Sequence, residues 1–130
     1  MKNLISILLT LICGLFLIGC GPKALSENYN EDVLREASKV IIDQLNNEEY
    51  NEMVDNAGET IKNDESTEVI KNAYDSIKKS AGEFESIDKI SFQEKNGYAV
   101  VVSIAKFEKR NVQFIFSFDK EIKLVEIFMK

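Results

Sequence analysis

The groups with chemistry to offer in this chain of 130 residues are two cysteines, four tyrosines and 22 carboxylates; histidine and tryptophan are absent. Without an imidazole, and with no thiol set beside a base, the usual nucleophile–base pairs of hydrolases cannot be assembled. Zinc sites need clustered Cys and His ligands, which the sequence does not supply. There is no Gly-rich phosphate loop and no Asp-rich calcium loop with a central glycine. The composition therefore calls for no metal and no cofactor. What remains is Cys20, directly after Leu17-Ile18-Gly19, and a short set of tyrosines and acids: Tyr74 followed by Asp75, then Tyr98 and Glu126.

Cys20 is the group whose surroundings specify a reaction. Met1-Lys2-Asn3 carries one side-chain positive charge, Leu4 to Ile18 carries none, and Gly19 is small. Charge, apolar run and small residue in that order form the layout of a secretory signal. The run is shorter than the ~20 residues a bilayer-spanning helix needs. Leu17-Ile18-Gly19-Cys20 resembles the lipobox of bacterial lipoproteins at all four positions. That resemblance implies a diacylglyceryl group joined to the Cys20 sulfur by a thioether, a bond serine could not form, and cleavage that leaves Cys20 as the first residue. Two acyl chains suffice for stable anchoring, since each buried methylene contributes about 0.8 kcal/mol. The competing reading is an uncleaved membrane helix, or an ordinary signal with a chance cysteine. Cys13 would be discarded with the peptide. The expected location is the extracytoplasmic face of the cell membrane, with the bilayer itself as partner through the anchor.

Removing residues 1–19 leaves 111 residues with 15 basic and 22 acidic side chains, a net charge of −7. That length suits one domain, able to bury roughly 65% of its unfolded surface. An acidic surface repels phosphates, which argues against nucleic acid and anionic headgroups as partners. With Cys20 acylated, no disulfide can form within the chain.

Residues 20–29 hold the single proline and no periodic pattern, and read as a lipidated cysteine on a flexible tether reaching about 30 Å. Residues 30–130 read as an α+β domain. Asn30 is a suitable N-cap for a helix that places Val33, Ala37, Val40, Ile41 and Leu45 at helical spacing. A short helix with Tyr50, Met53, Val54 and Ala57 on one side follows Asn46-Asn47. A third begins near Ser66, past a polar loop at residues 62–65, with Val69, Ile70, Ala73, Tyr74 and Ile77 on one face and Gly82 as its stop. Beyond Gly82 the apolar period changes from 3.6 to 2. Phe84, Ile90 and Phe92 alternate while Ile87 falls out of phase, the mark of a bulge. Asn96-Gly97 is a hairpin signal because both residues tolerate positive φ. Tyr98 to Phe107 is apolar on nearly every residue, Phe114, Phe116 and Phe118 alternate with polar residues, and Ile122 to Met129 closes a four-strand meander. Helices first and strands after predict helices packed on one face of a curved antiparallel sheet.

This order resembles the nuclear transport factor 2-like (cystatin-like) fold and, more narrowly, a family of uncharacterised domains on bacterial lipoproteins. The residues carrying the likeness are Ile42-Asp43-Gln44-Leu45-Asn46-Asn47-Glu48-Glu49-Tyr50, Gly82-Glu83-Phe84, and Phe116-Ser117-Phe118-Asp119 with Ile122 to Ile127. The fold implies a cone whose interior can hold a pocket, lined here by Tyr74, Tyr98, Phe114, Phe116 and, if it points inward, Glu126. Three roles follow: a non-catalytic domain binding a small apolar ligand or an envelope protein; an isomerase- or dehydratase-like enzyme with Tyr74 and Tyr98 inside the cone; or a homodimer through the outer face of the sheet, with Val125, Ile127 and Met129 beside Ala99 and Val101. The non-catalytic role is expected, with the phenylalanines more simply read as core.

Overall fold

The computed structural model describes residues 23–130; the signal-like segment 1–19 and Cys20 lie outside the described residues. Three helices, α1 (Glu31–Asn46), α2 (Tyr50–Asp55) and α3 (Asp64–Ala81), precede four strands, β1 (Phe84–Lys95), β2 (Tyr98–Phe107), β3 (Asn111–Phe118) and β4 (Leu124–Met129). The strands form one antiparallel sheet in the order β1-β2-β3-β4. This is the α+β order the sequence predicts. No helix of the described residues is long and apolar enough to cross a membrane.

Local chemistry sets the helix starts. The Asn30 side chain accepts hydrogen bonds from the Asp32 and Val33 amides at 2.9 and 3.2 Å. Asn63 does the same for Ser66 at 2.8 Å, so α3 starts two residues earlier than expected, with Asp64 and Glu65 in its first turn. Acids there face the positive end of the helix dipole. The buried stripes are narrower than the apolar pattern suggests. On α1 they comprise Leu34, Ser38, Ile41, Ile42 and Leu45, while Val33 and Val40 are about half exposed. On α3, Ile70, Tyr74, Ile77 and Ala81 are buried, and Val69 and Ala73 face out. In both helices a rotation of one residue lets the larger side chains reach the sheet.

Gly82 ends α3 at φ 82°, ψ −152°, a region only glycine occupies readily. A Cβ there would lie 2.9 Å from Glu108 Cβ. Two register shifts, between Phe84 and Ser86 and between Ile87 and Lys89, bring Phe84, Ile87, Ile90 and Phe92 all beneath the helices, opposite Phe107, Ala105, Ser103 and Val101. Ile87 is out of phase in sequence because two bulges, where one was expected, restore its phase in space. Asn96 and Gly97 at φ 55° and 85° form the expected two-residue hairpin turn. The last strand starts later than expected. Asp119 Oδ1 accepts from the amides of Glu121 and Lys123, both at 2.9 Å, and holds Ile122 in the turn at φ 61°.

Residues 23–29 differ most from expectation. Lys23 pairs with Glu94 as an antiparallel bridge, with N–H···O distances of 3.0 and 2.6 Å. The Ser26 amide and hydroxyl donate to Glu94 Oε1 at 3.0 and 2.7 Å. Tyr29 is buried, and its hydroxyl donates to the Gly97 carbonyl at 2.6 Å. Leu25 packs against the core. The segment is a strap across the β1–β2 hairpin rather than a free tether, because Glu94 offers its acceptor where the chain passes.

Candidate functional site

The space between helices and sheet, which the sequence reads more simply as core than as pocket, is occupied by aromatic rings. Phe114, Phe116 and Phe118 project from β3 and are almost wholly buried. Phe114 and Phe116 stack at 5.9 Å between centroids, Phe107 lies 6.2 Å from Phe114, and Phe118 meets Phe116 edge-on at 6.4 Å. Phe84 extends the row with an edge contact to Phe107 at 5.6 Å. Such offset and edge-to-face rows fill a core efficiently. Phe114 and Phe116 therefore form the packing itself and line none of the surface grooves described below.

Tyr74 and Tyr98 do not meet. Tyr74 is buried on α3 and donates its hydroxyl to Asn46 Oδ1 at the end of α1. Burial, with lesser contributions from Tyr50 and Glu83, holds its phenol far above the usual tyrosine range. Asp75 is half-buried; its charge adds to burial in raising the Tyr50 phenol, with a smaller push from Glu48. Tyr98 opens β2 on the opposite face of the sheet, paired with Lys95 and 45% exposed. The Tyr74 and Tyr98 pair of the enzyme reading is split by the sheet.

Tyr98 does share a groove with Glu126. Lys95, Val100, Ser117 and Thr60 complete a shallow depression of about 340 Å³ on the outer face. Ser117 pairs with Glu126 across β3 and β4, and Thr60 Oγ1 donates to the Val125 carbonyl at 2.9 Å, which fixes the loop before α3 against the strand. Glu126 points outward and is exposed, so it is no inward pocket acid. A second groove of about 350 Å³ lies along β4, between Val125, Glu126, Ile127 and the start of α3 at Asn63, Ser66 and Val69. A smaller one of about 190 Å³ runs between α1 and the β3–β4 turn, past Val40, Met53, Phe118 and Ile122. Sequence reasoning missed that groove because it placed Val40 on the apolar stripe of α1 and Ile122 in the last strand, whereas Val40 is half exposed and Ile122 lies in the turn.

The outer face also differs from expectation. Ala99 and Val101 are fully buried beneath the helices, and Ile127 and Met129 pack toward the core. The outward row is Val100, Val102, Ile104 and Ile115, half-buried, with exposed Phe128 paired to Ile115. A strand apolar at every position carries no parity of its own. The hairpin settles it by putting Tyr98 outward opposite Lys95. Among the described residues, no three Asp, Glu or Cys side chains converge as a metal would need. The Ser38, Tyr50 and Ser103 hydroxyls are buried without a hydrogen-bond partner among those residues.

The fold has a counterpart among solved structures. An NMR structure of a protein from Ruminococcus gnavus ATCC 29149 superposes with a TM-score of 0.70 at 20% identity, covering 83% of this chain and 97% of that one. At that identity the likeness concerns the fold alone. No curated protein matches the chain. The model of the family described as "protein of unknown function (DUF3887)" matches residues 37–127, from the middle of α1 to within β4, and the chain belongs to that family.

Proposed function

We propose that this chain is a bacterial lipoprotein, anchored by diacylglycerol on Cys20 at the extracytoplasmic face of the cell membrane. On this reading it carries a non-catalytic, nuclear transport factor 2-like domain that binds or supports another envelope component. The observation carrying the reading is Leu17-Ile18-Gly19-Cys20 at the end of an uncharged apolar run behind Lys2. The non-catalytic half is supported by the phenylalanine row filling the interior and by the separation of Tyr74 from Tyr98. The nuclear transport factor 2-like half is supported by three helices laid on one face of a meander whose first strand is bent by two bulges.

The experiment is mass spectrometry of the chain expressed in a bacterial host fed an alkyne-tagged fatty acid. The expected product begins at Cys20 and carries the label, whereas Cys20→Ala accumulates at full length without it. A full-length, unlabelled wild-type chain overturns the reading. A second role, a homodimer through the sheet, is favoured by Val100, Val102, Ile104 and Ile115 lying beside exposed Phe128 on the outer face. Light scattering on a chain starting after Cys20 would then give twice the monomer mass, returning to monomer in Phe128→Glu; a monomer at all concentrations excludes it.

A further inference from the structure

We infer that the Asn96–Gly97 end of the sheet rests at the level of the lipid headgroups, with the opposite end of the domain projecting away from the bilayer. This deepens the anchoring reading and rests on it. The strap fixes where the chain enters the domain. Lys23 is bridged to the Glu94 backbone, Ser26 is held by the Glu94 carboxylate, and Tyr29 is bonded to Gly97, all at the hairpin end. Only Cys20, Gly21 and Pro22 then precede the first pinned residue. At ~3.3–3.6 Å per residue the leash reaches about 10 Å. A headgroup layer is itself about 5–8 Å thick on each side of the hydrocarbon. The hairpin end can clear that layer by only a few ångströms, whereas a free tether running to Tyr29 would have reached about 30 Å.

The other end of the sheet is remote. The ten residues of β2 span about 30 Å. Lys109 and Arg110 lie at that far end, where the Lys109 amide meets the Ala81 carbonyl and Arg110 donates to Ser80. The near end presents side chains suited to the interface. Lys23, Lys95 and Lys120 are exposed there, and Tyr98 stands beside them. Long lysine stems and tyrosine rings both accommodate an apolar-to-wet boundary. Glu27 and Glu121 are exposed as well, so the short leash rather than net charge attraction sets the contact. Lengthening the leash should therefore abolish it.

The acylated chain has no free thiol, which permits single labels. Lys95→Cys and Lys109→Cys, each bearing a fluorophore, are reconstituted as lipidated protein in phosphatidylcholine vesicles containing a headgroup nitroxide lipid. Quenching is expected to be severalfold stronger at position 95 than at 109. Inserting a Gly-Ser linker of about six residues after Pro22 should bring the value at 95 down toward that at 109. Equal quenching at both positions, or none at either while the protein floats with the vesicles, overturns the orientation and leaves the anchor standing. A chain that is unacylated by mass and does not float overturns the anchor, and the orientation with it.

Discussion

Tyr74 and Glu94 show how a side chain's setting decides its role. Tyr74, a candidate pocket residue at sequence level, is locked to Asn46 beneath the helices. Tyr74→Phe should cost about 1 kcal/mol in urea unfolding, the worth of one part-buried hydrogen bond. Burial raises the phenols of Tyr29, Tyr50 and Tyr74 above their unfolded values. Their neutral forms thus stabilise the fold fully below pH ~10, and that contribution is lost as pH climbs further. Absorbance titration should show these phenolates appearing together with alkaline unfolding rather than before it. Glu94 runs the other way. The Ser26 hydroxyl and amide hold its carboxyl below the usual range, with Lys23 and Lys120 adding to the effect. Its contribution is complete above the unfolded carboxylate pKa and is lost as pH falls through the lower folded value. The protection factor of the Ser26 amide should fall on acidification, and should already be low at neutral pH in Glu94→Gln. Unchanged protection in that variant would mean the strap is held by Tyr29 and Leu25 instead.

Elements meet at junctions that tolerate little change. Between α3 and β1, Gly82 combines a glycine-only conformation with a close approach to Glu108, whose carboxylate also accepts from the Glu83 amide at 2.7 Å. Gly82→Ala should destabilise by about 1–3 kcal/mol from backbone strain, with the methyl contact added, as measured by the midpoint of denaturant unfolding. Between α2 and α3, Gly58 donates its amide to the Leu124 carbonyl at 2.8 Å, and a Cβ would sit 3.1 Å from Val125 Cγ1. With Thr60 bonded to the next carbonyl, this loop covers the start of the exposed edge of β4. Within the sheet, Phe116→Ala should cost about 3–5 kcal/mol, since its ring touches phenylalanines on both sides and the gap cannot collapse.

At the scale of the molecule, charge and packing oppose each other. Ion pairs among the described residues, such as Lys39–Glu36, Lys78–Glu83 and Lys106–Glu85, are long at 3.7–4.0 Å and solvent-exposed, and contribute little. The surplus of carboxylates is therefore mostly self-repelling. Raising ionic strength from about 0.01 to 0.15 M shortens the screening length from roughly 30 to 8 Å. It should raise the thermal midpoint of the chain starting after Cys20 by a few degrees at neutral pH. A midpoint that falls with salt would mean that attractive pairs dominate. The stability available to offset this repulsion resides in one core, formed by the β3 phenylalanines beneath α1 and α3.

Local patterns by themselves determined the element order, the cap at Asn30, the stop at Gly82 and the turn at Asn96-Gly97, because each depends on residues within a few positions of one another. The inward direction of Phe114 and Phe116 was legible for the same reason, since a strict alternation names its own face. Only the tertiary structure decided the parity of β2, the narrow buried stripes of α1 and α3, the separation of Tyr74 from Tyr98, and the docking of residues 23–29 on Glu94. Those depend on partners many positions away: Ser26 and Glu94 are 68 residues apart, and nothing local to either announces the other. A strand apolar at every position, or a polar segment with no period, leaves its placement open until the rest of the chain supplies the surface it meets.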